Sequence, residues 1–205
     1  VDSGKFDWEQ NDKFPGLTTP DESYHGLTYT KDFGEAAYIT KATAQLMRDL
    51  GSIPAANNAW LLNLGLETLH LRMPRHCENA KKVAEYLKNN EKITWVKCAM
   101  LDDDSQHEIA MKYMPNGTCG VVSFGIKGGR EAATVFMDSL KLAAIVTHVA
   151  DARTCCLHPA STTHRQLTDK ELEECGVTPD LLRFSCGIED ADDIIEDIQQ
   201  ALDKI

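Results

Sequence analysis

The spacing of apolar residues changes near residue 33 and predicts where regular structure begins. Residues 1–32 are rich in Gly, Pro, Asp and Thr without a period, and they predict a long ordered loop. From residue 33 to residue 50, apolar side chains recur at helical spacing. Gly51 then predicts the end of that helix, because glycine readily takes the left-handed conformation that closes helices.

Two further helical runs follow before the pattern becomes mixed. One covers residues 60–65, and the other extends to about Leu87 with Pro74 inside it. Because proline removes a helix hydrogen bond, we expect a kink or break near residues 71–73. A bend at that point would suit a hinge between two domains.

Beyond residue 91 the pattern predicts short strands with few long helices between them. This arrangement does not fit a doubly wound parallel sheet and instead predicts an α+β fold, with a mostly antiparallel sheet covered by helices. The predicted strands are 93–96, 120–126, 144–149, 154–157 and 181–186, and the predicted helices are 105–113, 130–142, a short one capped by Thr168 and Glu171, and one from about 190.

The composition favours a folded protein with a buried core and argues against a nucleic-acid-binding or membrane-spanning protein. The hydrophobic fraction of 42% is enough for a buried core, and the formal net charge of -11 argues against a nucleic-acid partner. No apolar run reaches the roughly 18 residues of a membrane span.

The seven cysteines are odd in number and irregularly spaced, which predicts buried free thiols and a reducing, cytoplasmic location. Because the chain opens on Val1, we expect it to be a piece of a longer or processed protein.

Arg183 is the first candidate for chemistry. It lies in an otherwise apolar strand shortly before Gly187. A guanidinium in that position needs a carboxylate or phosphate partner, and its fork matches a carboxylate in a two-pronged manner. The alternative is a structural ion pair with Glu189.

Two other polar groups are candidates with more ordinary explanations. Residues 158–164 combine two histidines with three hydroxyl side chains beside Cys155 and Cys156, but their spacing matches no common zinc pattern. A polar turn is favoured there, and a Cys–His nucleophilic pair stays open. The cationic residues Arg72, Arg75 and His76, around Pro74, favour a solvated helix face over an interdomain contact.

Several segments of the sequence together resemble a known family. Residues 158–164 and 183–190 resemble the C-terminal signature of the Cys/Met-metabolism pyridoxal-phosphate enzymes. Residues 65–80 resemble the family's helix at the start of its small domain. Resemblance to the O-acetylhomoserine sulfhydrylase branch is carried by residues 4–8, 23–27 and 33–39.

The resemblance implies a type I aminotransferase-like fold and a homotetramer. Residues 1–72 would be the tail of the large cofactor domain with its connecting helices, and residues 73–205 the small C-terminal domain. It implies pyridoxal 5'-phosphate as cofactor and a γ-replacement reaction, in which O-acetylhomoserine and sulfide or methanethiol give homocysteine or methionine and acetate. The missing N-terminal half of the enzyme is then an expected partner.

The resemblance also assigns candidate substrate-binding residues. Arg183 matches the arginine that holds the substrate α-carboxylate, and Ser185 neighbours that site. His148 lies in a segment that usually contains Asn-Val-Gly-Asp. In this chain His148 replaces a small polar residue and Ala150 replaces a glycine.

No catalytic residue is expected within the chain itself. The resemblance places the Schiff-base lysine upstream of Val1, and Lys31 and Lys41 do not match its context. We therefore expect the chain alone to be inactive, with no residue assigned to the cofactor and no metal site. The alternatives are a truncated module that acts only in folding or assembly, and a methionine γ-lyase or cystathionine γ-synthase relative.

Overall fold

The computed structural model describes residues 3–205. The chain forms two compact units, Val1–Leu64 and Gly65–Ile205. The domain boundary that the sequence predicts, between residues 72 and 73, remains a prediction, because compactness alone does not define an evolutionary domain.

The first unit consists of short helices around a small aromatic core. The ring of Tyr29 is fully buried, and the Lys41 ammonium lies 4.6 Å from the centre of that ring. Lys41 also pairs with Asp21 at 2.7 Å, and Gln45 accepts a hydrogen bond from the Tyr29 hydroxyl at 2.9 Å. The Lys41 ammonium holds the pKa of the Asp21 carboxyl far below its usual range.

Residues 3–32, the described part of the predicted loop, are more regular than the sequence predicts. They contain α1 (Pro15–Thr18), a 3₁₀ turn at Glu22–Tyr24 and the start of α2 (Tyr29–Phe33). The helix predicted over 33–50 is a succession of shorter segments, and Gly51 ends it with φ of 66°, as predicted. These segments are a 3₁₀ turn at Gly34–Ala36, α3 (Ala37–Thr40), a π-helix at Lys41–Met47 and α4 (Arg48–Leu50).

The break predicted near residues 71–73 is wrong. The two long helices are α5 (Ala56–Glu67) and α6 (Leu69–Lys88), and they are separated at Thr68. Pro74 lies inside α6. Proline has no backbone N–H, so one helix hydrogen bond is lost there, yet the helix continues through it to Lys88.

The second unit is built on a five-stranded sheet in the order β1-β2-β5-β4-β3. Neighbouring strands are antiparallel except β3 and β4, which are parallel. The predicted α+β class with a mostly antiparallel sheet is therefore confirmed. The strands are β1 (Ile93–Lys97), β2 (Val121–Ile126), β3 (Ala144–Ile145), β4 (Cys155–Leu157) and β5 (Leu181–Ser185).

Helices α6 and α8 (Gly129–Ser139) pack against this sheet, and α10 (Ala191–Leu202) packs on both helices and contributes to the same core. Three fully buried rings form its centre: Phe124 lies 6.0 Å from Phe136 and 6.4 Å from Phe184, measured between ring centres. Aromatic pairs at such distances add to the stabilisation from burial alone. The remaining α-helices of this unit are α7 (His107–Tyr113) and α9 (Asp169–Glu174).

Most of the cysteines match the prediction of buried free thiols, and the predicted location stays a prediction. All seven are free thiols; five of them are buried, whereas Cys175 is exposed. Burial raises the pKa of Cys156 and Cys186, so these thiols stay protonated and unreactive. Within residues 3–205, no helix combines the length and apolar character needed to cross a membrane.

Candidate carboxylate-binding site

Arg183 lies in β5, the central strand of the sheet, and its side chain is held at one end only. Its Nη2 donates to the carbonyl oxygens of Thr147 at 2.7 Å and His148 at 3.3 Å. Its Nε is buried without a hydrogen-bond partner. The guanidinium is therefore fixed in place while retaining free donor capacity, which suits two-pronged recognition of a carboxylate.

The alternative ion pair with Glu189 is not formed. The Glu189 carboxylate instead accepts hydrogen bonds from the Thr154 amide at 2.7 Å and the Thr154 hydroxyl at 2.9 Å. Among the residues that the structure describes, Arg183 has no ion-pair partner. A positive charge held without a counter-ion favours an anionic ligand over a purely structural role.

The turn after β5 is held by side chains of α6, contrary to the expectation of a solvated helix face. Arg75 donates to the Glu189 carbonyl at 3.0 Å. Asn79 donates to the carbonyls of Gly187 at 2.9 Å and Glu189 at 2.8 Å, and His76 contacts the Cys186 carbonyl at 2.7 Å. This part of α6 therefore fixes the end of the strand that carries Arg183.

Residues 146–151 leave the sheet, so β3 is shorter than the strand predicted over 144–149. This departure brings the carbonyls of Thr147 and His148 to Arg183. The Cys155 thiol also donates to the His148 carbonyl, at 3.2 Å. Burial raises the pKa of the Cys155 thiol, and the neighbouring Ser185 hydroxyl opposes that rise. The Ser185 hydroxyl itself forms no hydrogen bond of normal geometry. The structure thus brings Arg183, Ser185 and the His148 backbone together, whereas the His148 side chain is exposed.

Ala150 adopts a backbone conformation that favours glycine, with φ of 62°. An L-residue with a Cβ is strained by roughly 1 to 2 kcal/mol in this region. Because glycine also makes the unfolded chain more flexible, we expect Ala150→Gly to raise the free energy of unfolding by about 0.5 to 1 kcal/mol net. Urea denaturation of both proteins measures the change.

The neighbouring Ala152 provides the control for that substitution. It lacks the positive φ of Ala150. Ala152→Gly should lower the free energy of unfolding by about 0.5 kcal/mol. Equal losses from both substitutions would contradict backbone strain at Ala150.

The segment 158–164 is a polar turn, as favoured from the sequence. His158 is buried, and its Nε2 donates to the Pro179 carbonyl at 2.8 Å, which leaves Nδ1 to accept from the Ser161 hydroxyl at 2.8 Å. Both nitrogens of a neutral ring are thereby satisfied. Across residues 3–205, no group of three or more His, Cys, Asp or Glu side chains is placed to hold a metal ion.

His158 should make stability depend on pH. Desolvation by burial lowers its pKa below the ordinary value of about 6.5. The unfolded chain then binds more protons than the folded chain, so the free energy of unfolding should fall as pH drops below about 6.5. Urea titrations between pH 7 and pH 5 test this, and His158→Gln should flatten the dependence in that range. An unchanged slope in the variant would exclude His158 as its source.

Comparison with known proteins assigns the chain to a family. A family model described as Cys/Met metabolism PLP-dependent enzyme matches residues 25–203. The chain belongs to this family. The resemblance predicted from the motifs is thereby confirmed, and the family's cofactor is pyridoxal phosphate.

The most similar members include homocysteine synthase of Schizosaccharomyces pombe, which is 46% identical over 99% of this chain and 48% of its own length. The O-acetyl-L-homoserine sulfhydrylase of Leptospira meyeri is 45% identical over 100% of this chain and 48% of its own length. The chain thus spans about half the length of these relatives.

A solved structure supports the same assignment of fold. A Campylobacter jejuni chain assigned as an O-acetylhomoserine (thiol)-lyase superposes with a TM-score of 0.80 and 37% identity, over 95% of this chain and 46% of its own. In that structure a lysine carries a pyridoxyl phosphate group. The fold is therefore that of the C-terminal domain of the type I pyridoxal-phosphate enzymes.

The residues around Arg183 do not by themselves form a complete cofactor site. The cavity beside β5 is lined by apolar side chains with one histidine and one serine, and no lysine lines it for a covalent link. Lys41 is already paired with Asp21. The guanidinium of Arg183 offers unpartnered donor capacity that suits a carboxylate, and the cofactor would have to be held by residues outside this set.

Proposed function

We propose that this chain is the C-terminal part of a pyridoxal-phosphate enzyme that catalyses γ-replacement. Its substrates are O-acetylhomoserine and either sulfide or methanethiol, and its products are homocysteine or methionine and acetate. The observation that carries the proposal is Arg183, an arginine with a free buried Nε and no ion-pair partner among residues 3–205, in a chain about 45% identical to enzymes named for this reaction.

The residues of this chain recognise and orient the substrate. Arg183 binds the α-carboxylate through its free donors, while Thr147 and His148 hold its far end through their carbonyls. Ser185, two residues further along β5, lies on the same face of the strand and contacts the bound substrate. The exposed His148 side chain can reach the same carboxylate. Pyridoxal phosphate, when bound, supplies the electron sink.

The rest of the enzyme is supplied by a further polypeptide segment corresponding to the N-terminal half of the relatives. Helix α5 supports this, because its apolar residues are distributed all round the helix and are exposed: Trp60 by 59%, Leu62 by 67% and Leu66 by 61%. A helix that is apolar on every side is normally buried. We propose that the missing half covers α5, and that the complete enzyme is a cytoplasmic homotetrameric transferase.

The test is reconstitution with a matching N-terminal half. Co-expression of this chain with the N-terminal half of the S. pombe homocysteine synthase should give a complex with the visible absorbance of bound pyridoxal phosphate. That complex should release acetate and form homocysteine from O-acetylhomoserine and sulfide. The chain alone should be colourless and inactive, because the cofactor lysine is not among its residues. A complex that binds the cofactor but leaves O-acetylhomoserine unchanged would refute the proposed reaction.

Arg183→Lys should weaken substrate binding in the reconstituted enzyme. Lysine keeps the charge but cannot form the two-pronged contact, and the loss of about 2 kcal/mol corresponds to a roughly 30-fold fall in kcat/KM for O-acetylhomoserine. Steady-state kinetics measure the effect, with Arg153→Lys as control, because Arg153 is exposed and contacts only Asp151. Equal effects from both substitutions would argue against carboxylate binding by Arg183.

A further inference from the structure

A small cavity lies beside the end of β5, close to the candidate carboxylate site. Its volume is about 190 Å³. Val149 and Ala150 line it directly after His148, so it adjoins the segment that holds Arg183. The other lining residues are Met73, His76, Cys119, Gly120, Val121, Ser185 and Cys186.

His76 lines this cavity and has one ring nitrogen without a hydrogen-bond partner. The side chain is 3% exposed, and its Nδ1 lies 2.7 Å from the Cys186 carbonyl oxygen. Because a carbonyl can only accept, Nδ1 carries the hydrogen, and Nε2 of the neutral ring has a lone pair. That Nε2 is buried and has no partner. A Cβ at position 120 would lie 3.2 Å from the His76 Cβ and 3.5 Å from its Nδ1, so glycine at this position leaves the space that the histidine occupies.

Ser185 also lines the cavity and carries a second polar group. It is 4% exposed, and its Oγ forms no hydrogen bond of normal geometry, although the hydroxyl acts to lower the pKa of the neighbouring Cys155 thiol. Buried polar atoms without partners are uncommon and call for an explanation. Here the two residues that carry one acceptor and one hydroxyl line the same, otherwise apolar cavity, which fits a small ligand with one hydrogen-bonding atom and an apolar remainder.

We propose that this cavity binds the small thiol that attacks the amino-acid substrate. The S–H group donates to His76 Nε2, the Ser185 hydroxyl donates to the sulfur, and the apolar walls contact a methyl group. His76 then accepts the proton: the S–H bond breaks, an N–H bond forms, and the electron pair stays on sulfur as a thiolate. No oxidant or reductant is required. This assignment rests on the proposed function, in which the acceptor is sulfide or methanethiol.

The 205-residue chain itself is enough for a binding test. Sodium methanethiolate, which gives methanethiol at neutral pH, is added without oxygen to ¹⁵N-labelled protein, and imidazole nitrogen shifts are recorded by NMR. We expect a saturable shift of His76 Nε2. His158, whose two ring nitrogens are both partnered, should not respond. Dimethyl sulfide, which has no S–H, should bind at least tenfold more weakly.

Two variants distinguish thiol binding in the cavity from unspecific binding elsewhere on the protein. Cys119→Leu should fill the cavity and abolish the shift, whereas Cys175→Leu, at an exposed cysteine, should preserve it. If Cys119→Leu does not fold, His76→Asn keeps a donor for the Cys186 carbonyl but lacks Nε2, and it should lose binding as seen in the methanethiol methyl signal.

The possible results distinguish this site from the overall reaction. The thiol site is refuted by the absence of a saturable shift, by equal binding of dimethyl sulfide, or by binding that survives both cavity variants. Thiol binding to the chain in a reconstituted enzyme that does not use O-acetylhomoserine would refute the proposed reaction and leave the site standing.

Discussion

Gly187→Ala is expected to lower the free energy of unfolding by about 3 kcal/mol. A Cβ at this position would lie 2.5 Å from the Ala152 carbonyl oxygen and 2.5 Å from the Thr154 nitrogen. Both are backbone atoms, so they cannot move aside as the end of a side chain can. Overpacking of this kind typically costs about 1 to 3 kcal/mol, and the upper end applies where backbone must shift.

The same substitution at Gly65 provides a control of opposite sign. Gly65 lies inside α5, and nothing lies within 4 Å of the position its Cβ would occupy. Gly65→Ala should therefore raise stability by about 0.5 to 1 kcal/mol. Urea denaturation of both variants is the measurement. A Gly187→Ala protein as stable as the parent would mean that the turn after β5 is not packed as described.

Asp197→Ala is expected to lower the free energy of unfolding by about 4 kcal/mol. The buried Asp197 carboxylate in α10 accepts hydrogen bonds from the amides of Lys141 at 2.8 Å, Leu142 at 3.0 Å and Ala143 at 2.9 Å. Alanine would leave three amides without partners, each at a cost of about 1 to 3 kcal/mol where water cannot reach. These amides belong to the loop that leads into β3, so that loop should become more mobile.

Two substitutions on α10 test the cause of that loss. Asp197→Asn keeps one acceptor oxygen and should be intermediate, whereas Glu196→Ala, at an exposed neighbour, should change stability by less than about 0.5 kcal/mol. Hydrogen exchange at residues 141–143 reports the local effect. Unchanged protection of these amides in Asp197→Ala would rule out the carboxylate as their anchor.

The sheet could be predicted from local pattern because its strands are separated by recognisable turns. The apolar spacing on β2 and β5 reflects burial on the sheet, and it is therefore visible in the sequence. The exit of residues 146–151 could not be predicted in the same way. Its apolar residues Ile145 and Val149 resemble a continuing strand, but the chain leaves the sheet to hold Arg183.

The role of α6 in holding the turn after β5 could not be predicted from the local sequence pattern either. Arg75, His76 and Asn79 hydrogen-bond to a turn more than 100 residues away. Nothing in the spacing of these residues identifies a distant carbonyl as the partner, so a solvated helix face was the natural expectation. The available signal in the sequence was the spacing of Asn79 with Val83 and Leu87, which places this amide on the apolar face of the helix, where a polar group needs a hydrogen-bond partner.

The position of β5 also affects how the chain folds during synthesis. β5 is the last of the five strands to be translated, yet it pairs with β2 on one side and β4 on the other. Until it emerges from the ribosome, β2 and β4 each have one edge without a partner, namely the edge that β5 later covers. Open strand edges promote intermolecular pairing. Slow translation just before residue 181 would therefore lengthen the period in which nascent chains can aggregate, and chaperone dependence should be concentrated at that stage.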